Sequence, residues 1–468
     1  MAIEDTIAAI ATGLTDSGIG IIRISGENAI EVGNRIFQSP LGKKILHQAE
    51  NRKMYYGFAA DEEQDFVIDE VLAVVMRAPN SFTGENTVEI QCHGGILVMR
   101  KILATALKSG ARMAEPGEFT KRAFLNGKMD LSRAEAVMDV IGSRNEFALA
   151  SSVSQLKGML SEKIKKYRAE ILYEVAFIES ALDDPEHISL EGYPERLEEK
   201  IAGLTESIER LIATAEDGRW VKEGINTVIL GKPNVGKSSL LNYLAGEERA
   251  IVTEVAGTTR DILQESIRLG NISLNVTDTA GIHKTEDTVE KIGVKKAVEY
   301  AKDADLILYM ADGSMELNEN DKEIISILKD KKVIVLLNKS DLENVVTESM
   351  VRKLFSEMSG QKEFAIVRTS VKNGGGMEEL GRTIREMFFQ GELKCSHEVM
   401  ITSLRHKKAL EECRDSLHQV RRSIENGMPE DFFSIDLMNA YASLGRIIGE
   451  EVDDDLVDEI FSRFCMGK

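Results

Sequence analysis

Over the first hundred or so residues, short runs place apolar side chains at alternate positions. This predicts strands at Ile19 to Ile24, Val71 to Met76 and Thr87 to Gln91, because successive side chains of a strand face opposite ways. Gly95 to Leu107 instead repeats its apolar residues at helical spacing. The mixture predicts a small α+β domain over residues 1–118. From Phe119 to Trp220 runs of Glu, Lys, Ala, Leu and Ile predict helices, broken near Asp183-Asp184-Pro185 and Gly192-Tyr193-Pro194. Past Gly224 apolar runs at Thr227 to Leu230, Ile272 to Val276, Val333 to Leu337 and Phe364 to Thr369 alternate with helical stretches, the order of a doubly wound α/β domain. Helical periodicity returns at Ser403 to Asn426, Asp436 to Gly449 and Asp453 to Phe464. The expected architecture is multidomain: a discontinuous helical domain, residues 119–222 and 386–468, into which the α/β domain, 223–385, is inserted. Insertion is tolerated at exposed loops.

The loops that follow the α/β strands carry the chemistry. Gly231-Lys232-Pro233-Asn234-Val235-Gly236-Lys237-Ser238 lies between a strand run and the helical Ser239-Leu240-Leu241-Asn242-Tyr243-Leu244. In that context the pattern is a phosphate-binding P-loop: backbone N–H groups surround a polyphosphate, the lysine reaches the β/γ-phosphates and the serine hydroxyl holds Mg²⁺. Asp278-Thr279-Ala280-Gly281 ends the second strand, where an aspartate can hold Mg²⁺ through water and a glycine lets an N–H approach a γ-phosphate. Asn338-Lys339-Ser340-Asp341 ends the third. A carboxylate at Asp341 can accept from N1–H and the 2-amino group of guanine, a donor pair that adenine lacks. Ser370-Val371-Lys372, after the fourth run, is by itself an ordinary turn; with the other three in this order it would back the base with a main-chain N–H. The four together predict a GTP-binding, GTP-hydrolysing domain.

Charge and cysteines narrow the setting. The 468 residues carry 58 Lys and Arg against 78 Asp and Glu, a formal charge of −20, which excludes a broadly basic nucleic-acid coat and confines any RNA contact to a local patch. Cys92, Cys395, Cys413 and Cys465 have neither metal-ligand nor disulfide-framework spacing and point to a reducing cytoplasm. No secretory segment or membrane-spanning run is expected. Arg23, Glu89 and Lys128 are charges beside or within apolar patterns and read by themselves as solvated strand-edge or helix-face charges. Cys92-His93-Gly94-Gly95 reads as a tight turn into a helix.

Taken with Ile22-Arg23-Ile24-Ser25-Gly26, the stretch Gly117-Glu118-Phe119-Thr120-Lys121-Arg122-Ala123-Phe124-Leu125-Asn126-Gly127-Lys128 and the terminal Cys465-Met466-Gly467-Lys468, these motifs make the whole chain resemble the MnmE (TrmE) family of tRNA-modifying GTPases. The resemblance implies a folate-binding, dimerising N-terminal domain, a discontinuous helical domain and an inserted Ras-like G domain. It implies a homodimer working with a flavin-dependent GidA (MnmG) partner, as a heterotetramer, to place an aminomethyl-type group on carbon 5 of the wobble uridine of tRNA. Arg23, Glu89 and Lys128 then match contacts to 5-formyl-tetrahydrofolate or a related folate. Asn234, Val235, Gly236, Lys237, Ser238 and Ser239, Thr253, Glu254, Val255, Ala256, Gly257, Thr258 and Thr259, Asp278, Thr279, Ala280 and Gly281, and Asn338, Lys339, Asp341, Ser370, Val371 and Lys372 match the nucleotide site.

Within that site the resemblance gives potassium to Asn234, Thr253, Val255 and Thr258 and Mg²⁺ to Ser238 and Thr259. Where Ras-like GTPases place a water-orienting glutamine, this chain has Ile282, which cannot orient water. Glu290, by itself a solvated helix-face residue beside Lys291, matches the family's catalytic carboxylate and is expected to act through a bridging water. Cys465 is either a buried helix-end cysteine or, by the resemblance, part of a modification centre, as nucleophile, folate contact or positioning group. The same GTPase motifs occur in ribosome-assembly GTPases, binding switches without modification chemistry. The N-terminal residues and the Cys465-Met466-Gly467-Lys468 ending favour the tRNA-modifying reading.

Overall fold

The computed structural model describes residues 5–61, 66–247, 264–277, 300–360, 363–389, 399–465 and 467. The chain divides into two compact units. One is formed by residues 1–138, 155–201 and 412–468 and the other by 139–154 and 202–411.

In the first unit seven strands, β1 (Ile7–Ile10), β2 (Ser17–Ser25), β3 (Phe37–Gln38), β4 (Met54–Asp61), β5 (Phe66–Met76), β6 (Thr87–Gly94) and β7 (Arg112–Met113), form one sheet in the order β3-β4-β5-β6-β2-β1-β7. Alternation decides its two faces. Ile22, Ile90 and Ala73 stand in register across β2, β6 and β5 and pack under the helices Ala29–Ile36 and Ile96–Lys108. One residue along each strand the row becomes Arg23, Glu89, Val74 and Met54, and two further Ile21, Gln91, Leu72 and Tyr56, all on the opposite face. Gly95 is the N-cap of the second helix, so Cys92-His93-Gly94-Gly95 does lead a strand into a helix. Burial pushes the Cys92 thiol up to about 11, which leaves it unreactive near neutrality.

The same unit holds the helices Glu118–Leu125, Met159–Asp183, Glu430–Ile448 and Asp454–Ser462 and the larger part of Leu131–Gly142, which passes the unit's boundary after residue 138. Met159–Asp183 lies along Glu430–Ile448, where the Arg168 guanidinium stacks 3.9 Å from the Tyr441 ring and pairs with Glu450. The helix Glu430–Ile448 begins six residues earlier than the apolar pattern indicated at Asp436, because Phe432 and Ile435 are exposed and break the periodicity.

Arg122 anchors this unit. Its side chain is fully buried and meets three carboxylates: Asp5 at 2.5 Å, Glu118 at 2.9 Å and Glu85 at 3.2 Å. Burial raises the Glu118 carboxyl, but hydrogen bonds from Arg112, the Glu115 N–H and Arg122 outweigh it and hold it below the usual range.

In the second unit β8 (Ile225–Leu230), β9 (Gln264–Leu269), β10 (Ile272–Thr277), β11 (Leu306–Asp312), β12 (Val333–Asn338) and β13 (Ala365–Arg368) form a sheet ordered β13-β12-β11-β8-β10-β9. All neighbours are parallel except β9 and β10. Ile229, Leu308 and Ile334 face one core, with the helices Lys237–Glu247 and Met377–Phe388. Val228, Ile307 and Val335 face another, with the helices Glu319–Ser326 and Glu348–Met358. Both faces are covered, which is why these strands read as continuous apolar runs. Asn145 ties residues 139–154 to this sheet: its amide nitrogen donates to Val221 O and Ser273 Oγ, each at 3.1 Å, while its oxygen caps the next helix through Ala148 N–H.

Removing Arg122 takes the fully buried partner from the buried Glu118 carboxylate and from Glu85 and the more exposed Asp5, so Arg122→Met should cost about 3–5 kcal/mol at pH 7. Glu118 and Asp5 titrate below their unfolded values. The stability they confer is therefore complete above about pH 4.5 and fades as pH falls. Denaturant unfolding should show the variant's deficit shrinking between pH 7 and pH 3; a deficit independent of pH would mean that packing alone is lost.

Candidate functional site

The P-loop spans the end of β8 and the start of the helix Lys237–Glu247. Two of its glycines are required by their surroundings. Gly231 sits at φ 152° against Met310 O of β11, and Gly236 at φ 110° against the Asn338 amide, and in both places a Cβ would overlap the neighbour. Lys237 bends back over the loop and donates from Nζ to Gly231 O at 2.7 Å and Lys232 O at 2.6 Å. Asn234 is exposed at φ 62°, a conformation that asparagine tolerates better than most residues. Val235 is buried in the core, while Ser238 and Ser239 are exposed on the helix's first turn.

Two loops from elsewhere in the chain converge on the Asn338 side chain. Its Nδ2 donates to Val235 O of the P-loop at 2.8 Å, and its Oδ1 accepts from Val371 N–H at 3.2 Å. Asp341 is exposed and accepts from Ser370 Oγ at 2.6 Å. That hydrogen bond, with one from its own backbone, keeps its carboxyl below the usual range, so it is anionic at neutral pH. The N–H groups of Ser370 and Val371 are committed to Gly375 O and Asn338. A main-chain contact to a base would therefore fall to Lys372.

The sequence reading missed two carboxylates beneath these loops. Asp321, wholly buried, holds Lys232 of the P-loop at 2.7 Å and accepts from Tyr309 Oη at 2.7 Å and Asn318 N–H at 2.7 Å. Asp321 also closes the capping box of its own helix with Asn318, a local role that does not point to the lysine. Asp312, at the end of β11, holds Lys339 at 2.5 Å.

A second cluster lies in the first unit. Arg23 Nε meets Glu89 at 2.8 Å, and NH1 donates to Gly467 O at 3.3 Å. The guanidinium carbon is 5.8 Å from the Phe82 ring centre and 5.7 Å from that of Phe119. The two side chains are only 19% and 16% exposed, so the solvated strand-edge reading fails for both. Lys128 is exposed and donates to Pro79 O at 2.9 Å. Cys465 is exposed, and its carbonyl accepts from Gly117 N–H at 3.3 Å. Thr253, Glu254, Val255, Ala256, Gly257, Thr258, Thr259, Asp278, Thr279, Ala280, Gly281 and Glu290 lie outside the described residues. Among the described residues no His, Cys, Asp and Glu side chains gather as a metal site. No helix of these is long and apolar enough to cross a membrane.

A P-loop and an Asn-Lys-Ser-Asp loop, each following a parallel strand of the sheet, mark the P-loop GTPase class. The family model described as the MnmE helical domain matches residues 131–465, and that of the N-terminus of GTP-binding protein TrmE matches residues 6–128. A tRNA modification GTPase MnmE of Lachnoclostridium phytofermentans is 55% identical over 464 residues, 99% of each chain. Those of Acetivibrio thermocellus and Alkaliphilus oremlandii are 46% identical over 99% and 44% identical over 100% of each chain. The chain belongs to the MnmE (TrmE) family.

Replacing Asp341 by Asn turns one acceptor into a donor. The variant should lose GTP affinity by about tenfold or more and gain affinity for xanthosine triphosphate, whose 2-oxo group accepts where guanine donates. Competition binding of the two nucleotides measures this, and an unchanged preference would remove Asp341 from base reading.

Proposed function

We propose that this chain hydrolyses GTP and takes part in adding a (carboxymethyl)aminomethyl group to carbon 5 of the tRNA wobble uridine, using a folate one-carbon unit and a flavin-dependent partner of the GidA (MnmG) type. The observation that carries this reading is the pairing, within one full-length family match, of a guanine-reading loop set with the Arg23–Glu89 pair joined to the chain's final residues. Arg23 and Glu89, flanked by Phe82 and Phe119, offer a cation, an acceptor and aromatic walls to a ligand with a polar heterocycle and carboxylates, as 5-formyl-tetrahydrofolate has. Lys128 would reach that ligand from the neighbouring loop, and Cys465 stands at the same end of the unit.

The N-terminal sheet supports a homodimer. Its face away from the helices carries Tyr56 at 51% and Leu72 at 38% exposure, apolar area suited to a second copy. The domain division at residues 118, 222 and 385 belongs to the same reading, as does a cytoplasmic location.

In the GTPase site Lys237 would exchange its carbonyl partners for β/γ-phosphate oxygens. Ser238 and Thr259 would hold Mg²⁺, with Asp278 acting through water; the exposed Ser238 hydroxyl at the helix start suits that role. Potassium would be held by Asn234, whose side chain the left-handed backbone turns outward, with Thr253, Val255 and Thr258. A cation there supplies positive charge beside the phosphates, and Glu290 would orient the attacking water through a second water.

Mass spectrometry of tRNA nucleosides from cells lacking this protein should show the wobble uridine without its carbon-5 aminomethyl-type group. Unchanged nucleosides would instead favour a ribosome-assembly switch. In purified protein, hydrolysis should be at least about tenfold faster in potassium than in sodium at equal ionic strength, a fraction of the roughly 10³ to 10⁵ that an arginine finger supplies. Asn234→Ala should abolish the difference, and equal rates in the two salts would rule potassium out.

A further inference from the structure

The base-reading loop rests on a carboxylate that belongs to none of the nucleotide motifs. Asp312 ends β11 directly beside Asn338, its register partner in β12. It is 5% exposed, and both of its oxygens are engaged. Oδ1 accepts from Ser314 N–H at 3.0 Å and Ser314 Oγ at 2.6 Å, and Oδ2 accepts from Lys339 Nζ at 2.5 Å. Burial raises the Asp312 carboxyl, but Lys339 and Ser314 outweigh it and keep it ionised.

Lys339 itself stands at φ 63°. A lysine keeps a left-handed backbone only where its surroundings fix it. Here they do so from two sides. Gly313 N–H donates to Asn338 O at 2.9 Å, and a Cβ on Gly313 would lie 2.8 Å from Asn344 Oδ1 and 3.1 Å from Asn338 O, so the strand end fits closely under the loop. The Asp312–Lys339 ion pair then fixes the side chain of the same strained residue. Lys339 separates Asn338, which joins the loops, from Asp341, which faces the base. Its conformation therefore sets, together with the Ser370 hydroxyl that Asp341 accepts from, where the Asp341 carboxylate points. Neither Asn338 nor Asp341 has a side-chain bond to Asp312, so any influence on the base must pass through Lys339 and the backbone.

We propose that Asp312 is a positioning residue for guanine recognition: by holding the Lys339 ammonium it keeps residues 338–341 in the shape that presents Asp341 to the base. Asp312 touches no nucleotide group itself. Its charge, more than its volume, carries the effect, since a charge-assisted bond to a half-buried ammonium is stronger than a neutral one.

The test uses the full-length protein with Asp312→Asn, Asp312→Ala, Lys339→Met and the double variant Asp312→Ala/Lys339→Met. Fluorescent GDP dissociation and the ratio of GTP to xanthosine triphosphate affinity are read for each. Wild-type GTP binding serves as the check on the GTPase reading itself. Asp312→Ala should speed guanine-nucleotide release by about tenfold, the scale of coupling within one hydrogen-bond network, and should narrow the preference for GTP. Asp312→Asn, which keeps the Ser314 bonds, should fall between it and wild type and serves alone if the alanine variant does not fold. The double variant should be no worse than the poorer single one. The proposal is overturned if release and base preference are unchanged in Asp312→Asn and Asp312→Ala. It is overturned equally if the Asp312 and Lys339 effects simply multiply, or if affinity falls only as the folded fraction falls while the base preference stays wild-type.

Discussion

The nucleotide-binding unit depends on one amide. Asn338 is buried at the carboxyl end of β12, with its nitrogen on the P-loop and its oxygen on the 369–371 turn. The P-loop and the 338–341 loop lie far apart in sequence, and this side chain joins the first directly to the strand end that carries the second. A buried amide also cannot be lost quietly, because each partner it leaves unsatisfied carries its own desolvation cost. The same amide explains why Gly236 has no side chain, since a Cβ there would occupy the space of its nitrogen.

The first unit uses charge where the second uses an amide. Arg122 gathers carboxylates from the chain's start, from the loop before β6 and from its own helix, and so closes the N-terminal sheet against residues 112–125. A helix from the other end of the chain packs against the same segment: Phe461 and Phe464 crowd Gly117, which stands at φ 71° and has no room for a side chain. That docking brings Gly467 to Arg23 across more than four hundred residues of sequence.

What the sequence disclosed follows from how local each feature is. Gly231 to Ser238 and Asn338 to Asp341 are contiguous, each directly after an apolar strand, so both loop and strand were legible. The pairing of Arg23 with Glu89 was not, because it is set by the register of β2 on β6, and register leaves no mark at either residue alone. Asp312 and Asp321 were invisible for a related reason, as each is one acidic residue near a strand end or helix start whose partner lies on another element. Strand β9 escaped notice because Gln264-Glu265-Ser266-Ile267-Arg268-Leu269 is an edge strand with few apolar positions. The folate-type and potassium roles came from family resemblance and not from the residues' own pattern.

Lys237 gives the P-loop a built-in place-holder. Its ammonium, bonded to two carbonyls of the loop that surrounds it, holds the curl of that loop, and the half-buried lysine stays aimed into it. A phosphate arriving there would replace neutral oxygens with anionic ones, a gain in bond strength with little left to order. Departure of the nucleotide would reverse the exchange, with the two carbonyls at hand to take the ammonium back.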